Sequence, residues 1–330
     1  MPTFVEAAGA TTTLFCGVWL LLQVLRKPLF CLDDRVVVVT GAAHGMGKRL
    51  AERLVGHGKR VTLVLLDVDE PALQRTREIL EEAATATGSC VLAFNCDVAD
   101  ERAVRECVKR IQDAVAPKVI SVLVNNAGIV TGKSFEDLTS SDIRRTLAVN
   151  TLGQMWMCKE ILPILKASGD GLIVSVSSVM GLITGANLTD YCASKAAVCA
   201  FIESLRLELW RDGYRRHIRT LLVCPNAVDT GMFQGIMEGS DWTAWLSRML
   251  LPASSELDAA KRIHSAMIHG EELVISCYSD WRGLVVPWLP AIARLLPPSL
   301  FDFIVYLGGG VHGMDTFVGR TLLETKQQQQ

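Results

Sequence analysis

Apolar and polar residues follow two different spacings along residues 35–223, and the pattern predicts strands that alternate with helices. Short apolar runs rich in β-branched residues predict buried strands at 35–40, 61–66, 91–94, 119–124, 171–177 and 218–223. Helical spacing predicts helices at 48–56, 71–86, 101–115, 142–165 and 191–210. Alternation of this kind produces βαβ units. We therefore predict an α/β fold, a single domain built on a doubly wound parallel sheet.

An uncharged run near the start of the chain predicts a membrane anchor. Residues 7–25 carry no charge, and a helix of this length nearly spans the roughly 30 Å hydrocarbon core of a bilayer. Arg26 and Lys27 follow the run, whereas a cleaved signal peptide has its positive charge before the run. This order favours an uncleaved anchor that keeps the following domain in the cytosol. The alternative is an amphipathic or buried helix that packs on the domain.

Composition narrows the class of protein. The chain has 330 residues, of which 50% are hydrophobic and 21% charged, and its formal net charge is -2. These values exclude a disordered chain and a disulfide miniprotein, and without a basic excess we expect no nucleic-acid partner. The mean hydropathy of +0.29 is high for a soluble protein and indicates contact with lipid.

Ten cysteines are scattered along the chain. They form no Cys-x-x-Cys pair, and no histidine lies at ligand spacing from a cysteine pair, so we expect no metal site. Most of them lie in apolar runs, which predicts small buried side chains in a reducing compartment.

A glycine-rich turn joins the first predicted strand to the first predicted helix. It has the pattern Thr40-Gly41-x-x-x-Gly45-x-Gly47. Glycines let the backbone approach a pyrophosphate, and the N-terminus of the following helix faces it. Asp67 ends the second strand, where a carboxylate accepts hydrogen bonds from adenosine ribose hydroxyls and repels a 2′-phosphate; its alternative role is to cap the next helix. The sequence thus predicts dinucleotide binding on a Rossmann-type sheet.

Tyr191 and Lys195 lie four residues apart at the start of a predicted helix and share one face. A tyrosine hydroxyl with a pKa of about 10 is a poor acid–base group at neutral pH, and a nearby lysine cation lowers that pKa because it favours the phenolate. Ser178 follows the fifth predicted strand and can orient a substrate oxygen, with Ser177 as the competing candidate. An ordinary helix face is the alternative for the tyrosine and lysine taken alone.

Together these residues resemble the short-chain dehydrogenase/reductase family over residues 33–280. The resemblance rests on the glycine-rich turn, Asp97-Val98, Asn125-Asn126-Ala127-Gly128, Asn150, Ser178 and Tyr191-x-x-x-Lys195. It implies that Tyr191 is the general acid/base, Ser178 holds the substrate oxygen, and Lys195 binds the nicotinamide ribose and tunes Tyr191. It also implies that Asn150 supports a proton-relay water. The cofactor contacts that it implies are Gly41, His44, Gly45, Met46, Gly47, Asp67, Asp97, Val98, Asn125, Ala127, Gly128, Tyr191, Lys195, Pro225, Val228 and Thr230.

One turn departs from the family's pattern. The family usually has Pro-Gly after the sixth strand, whereas this chain has Pro225-Asn226. Asparagine tolerates a positive φ better than most residues, so we expect the turn to survive.

A narrower resemblance points to a lipophilic substrate. The apolar N-terminus, Tyr191-Cys192-Ala193-Ser194-Lys195, Cys224-Pro225, residues 229–235 and Met314-Asp315-Thr316-Phe317-x-Gly319-Arg320 resemble the membrane-bound retinol/retinaldehyde dehydrogenases, with the lipid-droplet 17β-hydroxysteroid dehydrogenases as near relatives. This implies an NAD(H)-dependent oxidoreductase, with NADP less favoured, that interconverts a lipophilic alcohol and its carbonyl. The resemblance also implies a location at the endoplasmic reticulum membrane or on a lipid droplet, with the catalytic domain in the cytosol. The alternatives are a catalytically silent nucleotide-binding scaffold on such a surface and a soluble carbonyl reductase. The oligomeric state stays open, a homo-oligomer included.

The end of the chain is again apolar. Residues 281–307 contain three charged side chains and four prolines, which break a simple transmembrane helix. We predict short, partly amphipathic helices at a membrane interface or over the substrate site, with core helices as the alternative. The predicted divisions are a hydrophobic anchor at 1–32, a dinucleotide-binding catalytic domain at 33–280, and an apolar extension with a polar tail at 281–330.

Overall fold

The computed structural model describes residues 29–233, 252–278, 280–307 and 309–317. In this part of the chain, seven strands form one parallel sheet. In chain order they are β1 (Val36–Thr40), β2 (Thr62–Asp67), β3 (Cys90–Asn95), β4 (Ile120–Asn125), β5 (Gly171–Val176), β6 (Ile218–Cys224) and β9 (Leu273–Ile275), while β7 (Val228–Asp229) and β8 (Ser254–Ser255) form a separate pair. The order across the sheet is β3-β2-β1-β4-β5-β6-β9, so the winding reverses between β1 and β4.

Helices cover both faces of the sheet. The α-helices of the described residues are α1 (Gly45–His57), α2 (Glu70–Thr87), α3 (Glu101–Val115), α4 (Ser140–Leu147), α5 (Gly153–Ser168), α6 (Thr189–Arg211), α7 (Glu256–His269), α8 (Arg282–Val285), α9 (Leu289–Arg294) and α10 (Pro298–Leu307). The alternation of side chains along β1 places Val37 and Val39 in one apolar core with α1, α2 and α7. Val36 and Val38 point to the other face and pack with α3, α5 and α6. The doubly wound, Rossmann-type sheet predicted from the sequence is therefore confirmed.

The six predicted strands are present, and each begins and ends within one residue of its predicted position. The sequence analysis does not predict β9, which spans only Leu273–Ile275. A run of three residues carries too little periodicity to identify a strand, and β9 forms by parallel pairing with the end of β6.

The single helix predicted at 142–165 is wrong, because the structure interrupts it. Helix α4 ends at Leu147, a π-helical turn spans Ala148–Leu152, and α5 begins at Gly153. The wider turn contains Asn150, whose amide donates to the Ile129 carbonyl at 2.9 Å and accepts from the Ile129 N–H at 2.8 Å. Such single π-turns inside helices are frequent at functional sites, and a contact to a distant loop leaves no trace in apolar spacing.

Of the two apolar ends of the chain, the structure describes most of the C-terminal one but not the predicted anchor. The predicted anchor at 7–25 lies outside the described residues. The C-terminal part forms the short helices α8, α9 and α10, separated at prolines as predicted. Many of its large apolar side chains are exposed, which disagrees with core helices. Across the described ranges, no helix combines the length and the apolar character needed to span a membrane.

Cysteines contribute mainly to the core. Cys96, Cys107, Cys158, Cys192, Cys199, Cys224 and Cys277 are buried, as their apolar surroundings predict. Cys31 and Cys90 are exposed, and for these two the prediction of burial is wrong. Cys90 lies on the edge strand β3, where the sheet has no further neighbour to cover it.

Candidate active site

The carboxyl ends of the parallel strands border a cavity at the point where the winding reverses. Its volume is about 470 Å³, and the loops that follow β1 to β6 line it. In open α/β sheets, ligands bind at this switch point. The predicted cofactor residues that line the cavity are Gly41, His44, Gly45, Met46, Asp67, Asp97, Val98, Ala127, Gly128, Tyr191, Lys195, Pro225, Val228 and Thr230.

The glycine-rich turn has no room for side chains. Gly41 and Gly45 have φ angles of +64° and +53°, which L side chains rarely adopt. A Cβ atom on Gly47 would lie 2.1 Å from the Gly41 carbonyl oxygen. Gly47 therefore shapes the turn without lining the cavity. The backbone at the start of α1 stays open to the cavity, which suits a pyrophosphate.

Thr40 and Asn126 hold this turn against the loop after β4. The Thr40 hydroxyl oxygen accepts from the N–H groups of Asn126 and Ala127, each at 3.0 Å. The Asn126 amide donates to the carbonyls of Thr40 and Gly41 at 3.0 and 3.1 Å. Both residues belong to motifs identified in the sequence, but the sequence analysis assigns them no role. Their positions within those motifs are the signal from which a structural role could have been predicted.

Asp67 is fixed by the backbone at the end of β2. Its carboxylate accepts from the Ala43 N–H at 2.9 Å and from the Asp69 N–H at 3.1 Å. The residue that caps α2 is Asp69, which accepts from the Ala72 N–H at 3.1 Å. The capping alternative for Asp67 is therefore wrong. Its carboxylate borders the cavity in a held orientation, as the acceptor of a ribose hydroxyl requires.

Two hydrogen-bonded pairs of side chains occupy the same end of the cavity. His44 Nε2 lies 2.8 Å from Asp69 Oδ2, so the basic residue in the glycine-rich turn faces a carboxylate. Arg145 on α4 donates to Asp97 Oδ2 at 2.8 Å, and the other Asp97 oxygen accepts from the Ala99 N–H at 2.9 Å. Arg145 lines the cavity and was missed by sequence reasoning, because nothing in the spacing links it to Asp97.

Tyr191, Ser178 and Lys195 meet at the opposite end of the cavity, where all three line it. Tyr191 and Lys195 lie on the first turns of α6, and Ser178 follows β5. Lys195 Nζ lies 5.7 Å from the centre of the Tyr191 ring and donates to the Val176 carbonyl at 3.1 Å. The three side chains that the resemblance joins in one site are therefore neighbours in the structure.

Burial governs the protonation of this group. It raises the pKa of Tyr191 above the usual value of about 10, and a hydrogen bond with Ser178 opposes the rise. Burial also lowers the pKa of Lys195 to about 8. The expectation that the lysine lowers the tyrosine pKa is corrected here, because loss of solvation is the largest effect on the phenol. At neutral pH, Tyr191 is a phenol and Lys195 is mostly a cation.

The choice between the two serines is resolved by their partners. The Ser177 hydroxyl donates to the Lys195 carbonyl at 2.7 Å and accepts from Cys199 Sγ at 3.2 Å. The Ser178 hydroxyl oxygen accepts from the Met180 N–H at 3.1 Å and is the one bonded to Tyr191. Ser178 is therefore the serine that can meet a substrate oxygen next to the phenol.

Asn150 and Asn125 lie behind the cavity wall. Besides its contacts with Ile129, the Asn150 amide donates to Ser194 Oγ at 3.0 Å, so its side chain links the π-turn to α6. A Cβ on Gly128 would lie 3.3 Å from Lys195 Nζ and 3.4 Å from Asn150 Oδ1, so a glycine there leaves room for both. Asn125 is buried and donates to the Gln154 carbonyl at 3.4 Å, away from the cavity lining. Its predicted contact with the cofactor is not supported by this placement.

The departure at Asn226 is accommodated by hydrogen bonds. Asn226 does not adopt a positive φ, so the conformational argument made from the sequence is wrong. Its amide donates to the Ala227 carbonyl and to Ser254 Oγ, both at 3.0 Å, and accepts from the Cys277 N–H at 2.9 Å. These bonds tie the turn after β6 to β8 and to the residues after β9. The turn therefore keeps Pro225, Val228 and Thr230 at the cavity.

The glycine-rich turn, the carboxylate at the end of β2 and the serine–tyrosine–lysine group define a dinucleotide-dependent enzyme site. Comparison with known proteins specifies the family. Residues 35–241 match the family described as short chain dehydrogenase, and the chain belongs to that family.

Individual relatives agree with this assignment. Epidermal retinol dehydrogenase 2 from Mus musculus is 38% identical over 218 residues, which are 66% of this chain and 67% of that one. The Homo sapiens protein of the same name is 31% identical over 301 residues, 91% of this chain and 90% of that one. Among solved structures, a short chain dehydrogenase/reductase from Burkholderia phymatum in complex with NAD is 27% identical, with a TM-score of 0.67 over 82% of this chain and 98% of that one.

Proposed function

We propose that this protein is an NAD(H)-dependent oxidoreductase that interconverts a lipophilic alcohol and its carbonyl compound. The observation that carries the proposal is the meeting of Tyr191, Ser178 and Lys195 at one end of a cavity whose other end holds Asp67. Two relatives are named retinol dehydrogenases, and retinol is a lipophilic alcohol. The solved neighbour from Burkholderia phymatum is in complex with NAD.

The residues around the cavity fit a dinucleotide. The glycine-rich turn is a cradle that a Cβ at Gly41 would fill, since that atom would lie 2.8 Å from Ala127 Cα. The turn and the start of α1 would hold the pyrophosphate, Asp67 the adenosine ribose, and Lys195 the nicotinamide ribose. When bound, NAD(H) supplies or accepts the hydride.

The side chains of this protein handle the proton and the oxygen. In reduction, the Tyr191 hydroxyl donates its proton to the carbonyl oxygen, and in oxidation Tyr191, once deprotonated, accepts the proton of the alcohol hydroxyl. Ser178 donates a hydrogen bond to the same substrate oxygen and orients it. The Lys195 cation stabilises Tyr191 after it has lost its proton. Asn150 is a positioning residue, since its contacts fix the loop after β4 and the start of α6.

A substrate screen tests this function. Full-length protein in detergent is incubated with NAD or NADP and with retinol, steroid alcohols and sugar alcohols, and the formation of NADH or NADPH is followed. We expect turnover with the lipophilic alcohols and NAD. Binding of NADH without turnover across the panel would support the silent scaffold instead, and turnover restricted to sugar alcohols would support a soluble reductase.

The membrane location belongs to the same proposal. Residues 281–307, which contain helices α8 to α10 and the turns between them, expose large apolar side chains, among them Trp281, Leu284, Trp288, Leu295 and Phe303. The two arginines nearby are engaged: Arg282 pairs with Asp280, and Arg294 donates to the Leu182 carbonyl at 2.9 Å. Exposed apolar patches mark contact with a partner or a membrane, and tryptophan favours the lipid–water interface. We assign this surface, together with the anchor at 7–25, to the endoplasmic reticulum membrane or the lipid-droplet surface, with the catalytic domain in the cytosol.

Vesicle flotation checks the contribution of α8 to α10. Protein lacking residues 1–27 is expected to float partly with phosphatidylcholine vesicles, and Trp288→Ser is expected to reduce the floating fraction severalfold. Trp210→Ser on α6 is the matched control, because Trp210 is 56% exposed and Trp288 is 68% exposed. Equal flotation of both variants contradicts the assignment of α8 to α10 to the membrane surface. The cytosolic orientation has a separate test: protection of the full-length catalytic domain from protease in sealed microsomes contradicts it.

A further inference from the structure

A carboxylate borders the cavity beside the glycine-rich turn. Glu256 is the first residue of α7, and it lines the cavity together with Gly45 and Thr230. A Cβ atom on Gly45 would lie 3.5 Å from Glu256 Oε1 and 3.3 Å from Thr230 Cγ2. The Glu256 carboxylate therefore lies next to the turn that would hold a pyrophosphate.

The backbone on both sides of Glu256 is fixed. The residue follows β8, which pairs with β7, and Ser254 Oγ accepts from the Asn226 amide at 3.0 Å. Ser255 caps α7, because its hydroxyl oxygen accepts from the Asp258 N–H at 3.0 Å. The Glu256 side chain thus extends toward the cavity from a backbone that has little freedom to move.

One arginine offsets only part of this charge. Arg49 Nε on α1 lies 3.4 Å from Glu256 Oε2, and Arg49 Nη1 donates to both carboxylate oxygens of Glu52 at 3.0 Å. The two carboxylates raise the pKa of the Arg49 guanidinium, and the hydrogen bond to Glu52 is the largest cause. One cation therefore faces two carboxylates, and its closer partner is the one outside the cavity lining. The group keeps a negative charge next to the turn.

The arginine and the lysine of the cavity wall have other partners. Among the described residues, Arg145 and Lys195 are the members of these two types that line the cavity. Arg145 donates to Asp97 at 2.8 Å, and Lys195 donates to the Val176 carbonyl at 3.1 Å. A pyrophosphate at the turn would therefore be attracted by the N-terminus of α1 and repelled by the Glu256 carboxylate.

We propose that Glu256 determines the affinity of the site for the dinucleotide, because its carboxylate repels the pyrophosphate of NAD(H) and weakens binding. This inference rests on one part of the proposed function, namely that the cavity binds NAD(H). The repulsion acts on the bound cofactor and favours its release, and release steps limit turnover in many enzymes. Glu256 thus promotes the exchange of oxidised and reduced cofactor between turnovers.

Equilibrium binding tests the sign of this effect. Full-length protein in uncharged detergent is titrated with NADH, and with ADP and adenosine as competitors, at low and at high salt. Glu256→Gln keeps the shape of the side chain and removes its charge. We expect NADH and ADP to bind this variant about fivefold more tightly, which is the size of the interaction between unit charges a few ångströms apart in water.

Adenosine and salt identify the effect as electrostatic. Adenosine carries no phosphate, so its affinity for Glu256→Gln is expected to stay within about twofold of the wild type. The gain for NADH and ADP is expected to shrink at high salt, because salt screens the charges. A purely structural role of Glu256 would change the binding of all three ligands at both salt concentrations.

Two matched controls exclude indirect effects. Glu160→Gln removes a carboxylate that is 24% exposed, against 25% for Glu256, and that also lies 3.4 Å from an arginine Nε, in this case Arg105, but outside the cavity lining. Asp258→Asn removes the other carboxylate from the first turn of α7. Both variants are expected to bind NADH within about twofold of the wild type, because solvent and salt screen charges at a distance.

A second variant changes the same charge balance in the opposite direction. Arg49→Gln removes the cation that faces Glu256, so we expect NADH and ADP to bind about threefold more weakly and adenosine to bind as in the wild type. Because Arg49 lies on α1, this variant carries the test if the melting temperature shows that Glu256→Gln does not fold.

The outcomes separate this inference from the function beneath it. A wild type that binds neither NADH nor ADP overturns the proposed function together with the inference. Equal or weaker NADH binding in Glu256→Gln overturns the inference alone, as does a gain that includes adenosine or persists at high salt, or unchanged ADP affinity in Arg49→Gln. Tighter NADH binding in Glu256→Gln, with no turnover of any alcohol by the wild type, keeps the inference and overturns the oxidoreductase function.

Discussion

Replacing Tyr191 with phenylalanine is expected to lower kcat by about 100-fold or more, because the variant lacks the hydroxyl group that donates and accepts the proton. This loss corresponds to about 2.7 kcal/mol of transition-state stabilisation. The ring is 3% exposed and packs with Leu188, Cys192 and Met314, and phenylalanine preserves that packing. Folding and NADH binding are therefore expected to persist, whereas Lys195→Ala should lose both turnover and cofactor affinity.

The measurement compares kcat, melting temperature and NADH affinity between the wild type and the variant. Tyr214→Phe is the matched control, because Tyr214 packs near Lys166, with the lysine nitrogen 4.9 Å from its ring, away from the cavity lining. Near-normal turnover in Tyr191→Phe removes Tyr191 from the catalytic role. An equal loss in Tyr214→Phe attributes the effect to general destabilisation.

The fold was predictable because most of its strands are buried on both faces. The run of four valines in β1 fills two cores at once, so it is a continuous apolar run bounded by charge and turn residues. The elements that escaped prediction depend on partners distant in sequence. Three-residue β9 exists because β6 offers an edge, and the π-turn at Asn150 exists because Ile129 lies within hydrogen-bonding distance.

The residues of the site divide in the same way, into those with a local sequence signal and those that depend on a partner distant in sequence. Residues within motifs, such as Gly45 and Lys195, were found because local spacing carries their signal. The side chains of Arg145 and Asn226 reach across the fold to Asp97 and Cys277, and no local pattern contains those pairs. Protonation was the least predictable property, since the pKa of Tyr191 depends on how completely neighbouring elements exclude water.

The structure strengthens the expected preference for NAD. Asp67 and Asp69 both line the adenosine end of the cavity, and His44 is held 2.8 Å from Asp69. Neither Lys48 nor Arg75 borders the cavity. A 2′-phosphate at Asp67 would meet a carboxylate without an opposing cation from these residues, whereas a ribose hydroxyl would meet a fixed acceptor.

Asp67→Ala is therefore expected to reverse much of this preference. Loss of a hydrogen bond to a charged acceptor costs roughly 1.5–3 kcal/mol, or about tenfold to a hundredfold in NAD affinity, and removal of the charge relieves the repulsion of NADP. The test is kcat/KM with both cofactors. Asp100→Ala is the matched control: Asp100 also accepts two backbone N–H groups, at 2.8 and 3.3 Å, but does not border the cavity. Equal efficiency with NAD and NADP in the wild type, or an unchanged ratio in Asp67→Ala, refutes the role of Asp67, because a carboxylate that contacts the ribose must affect the two cofactors differently.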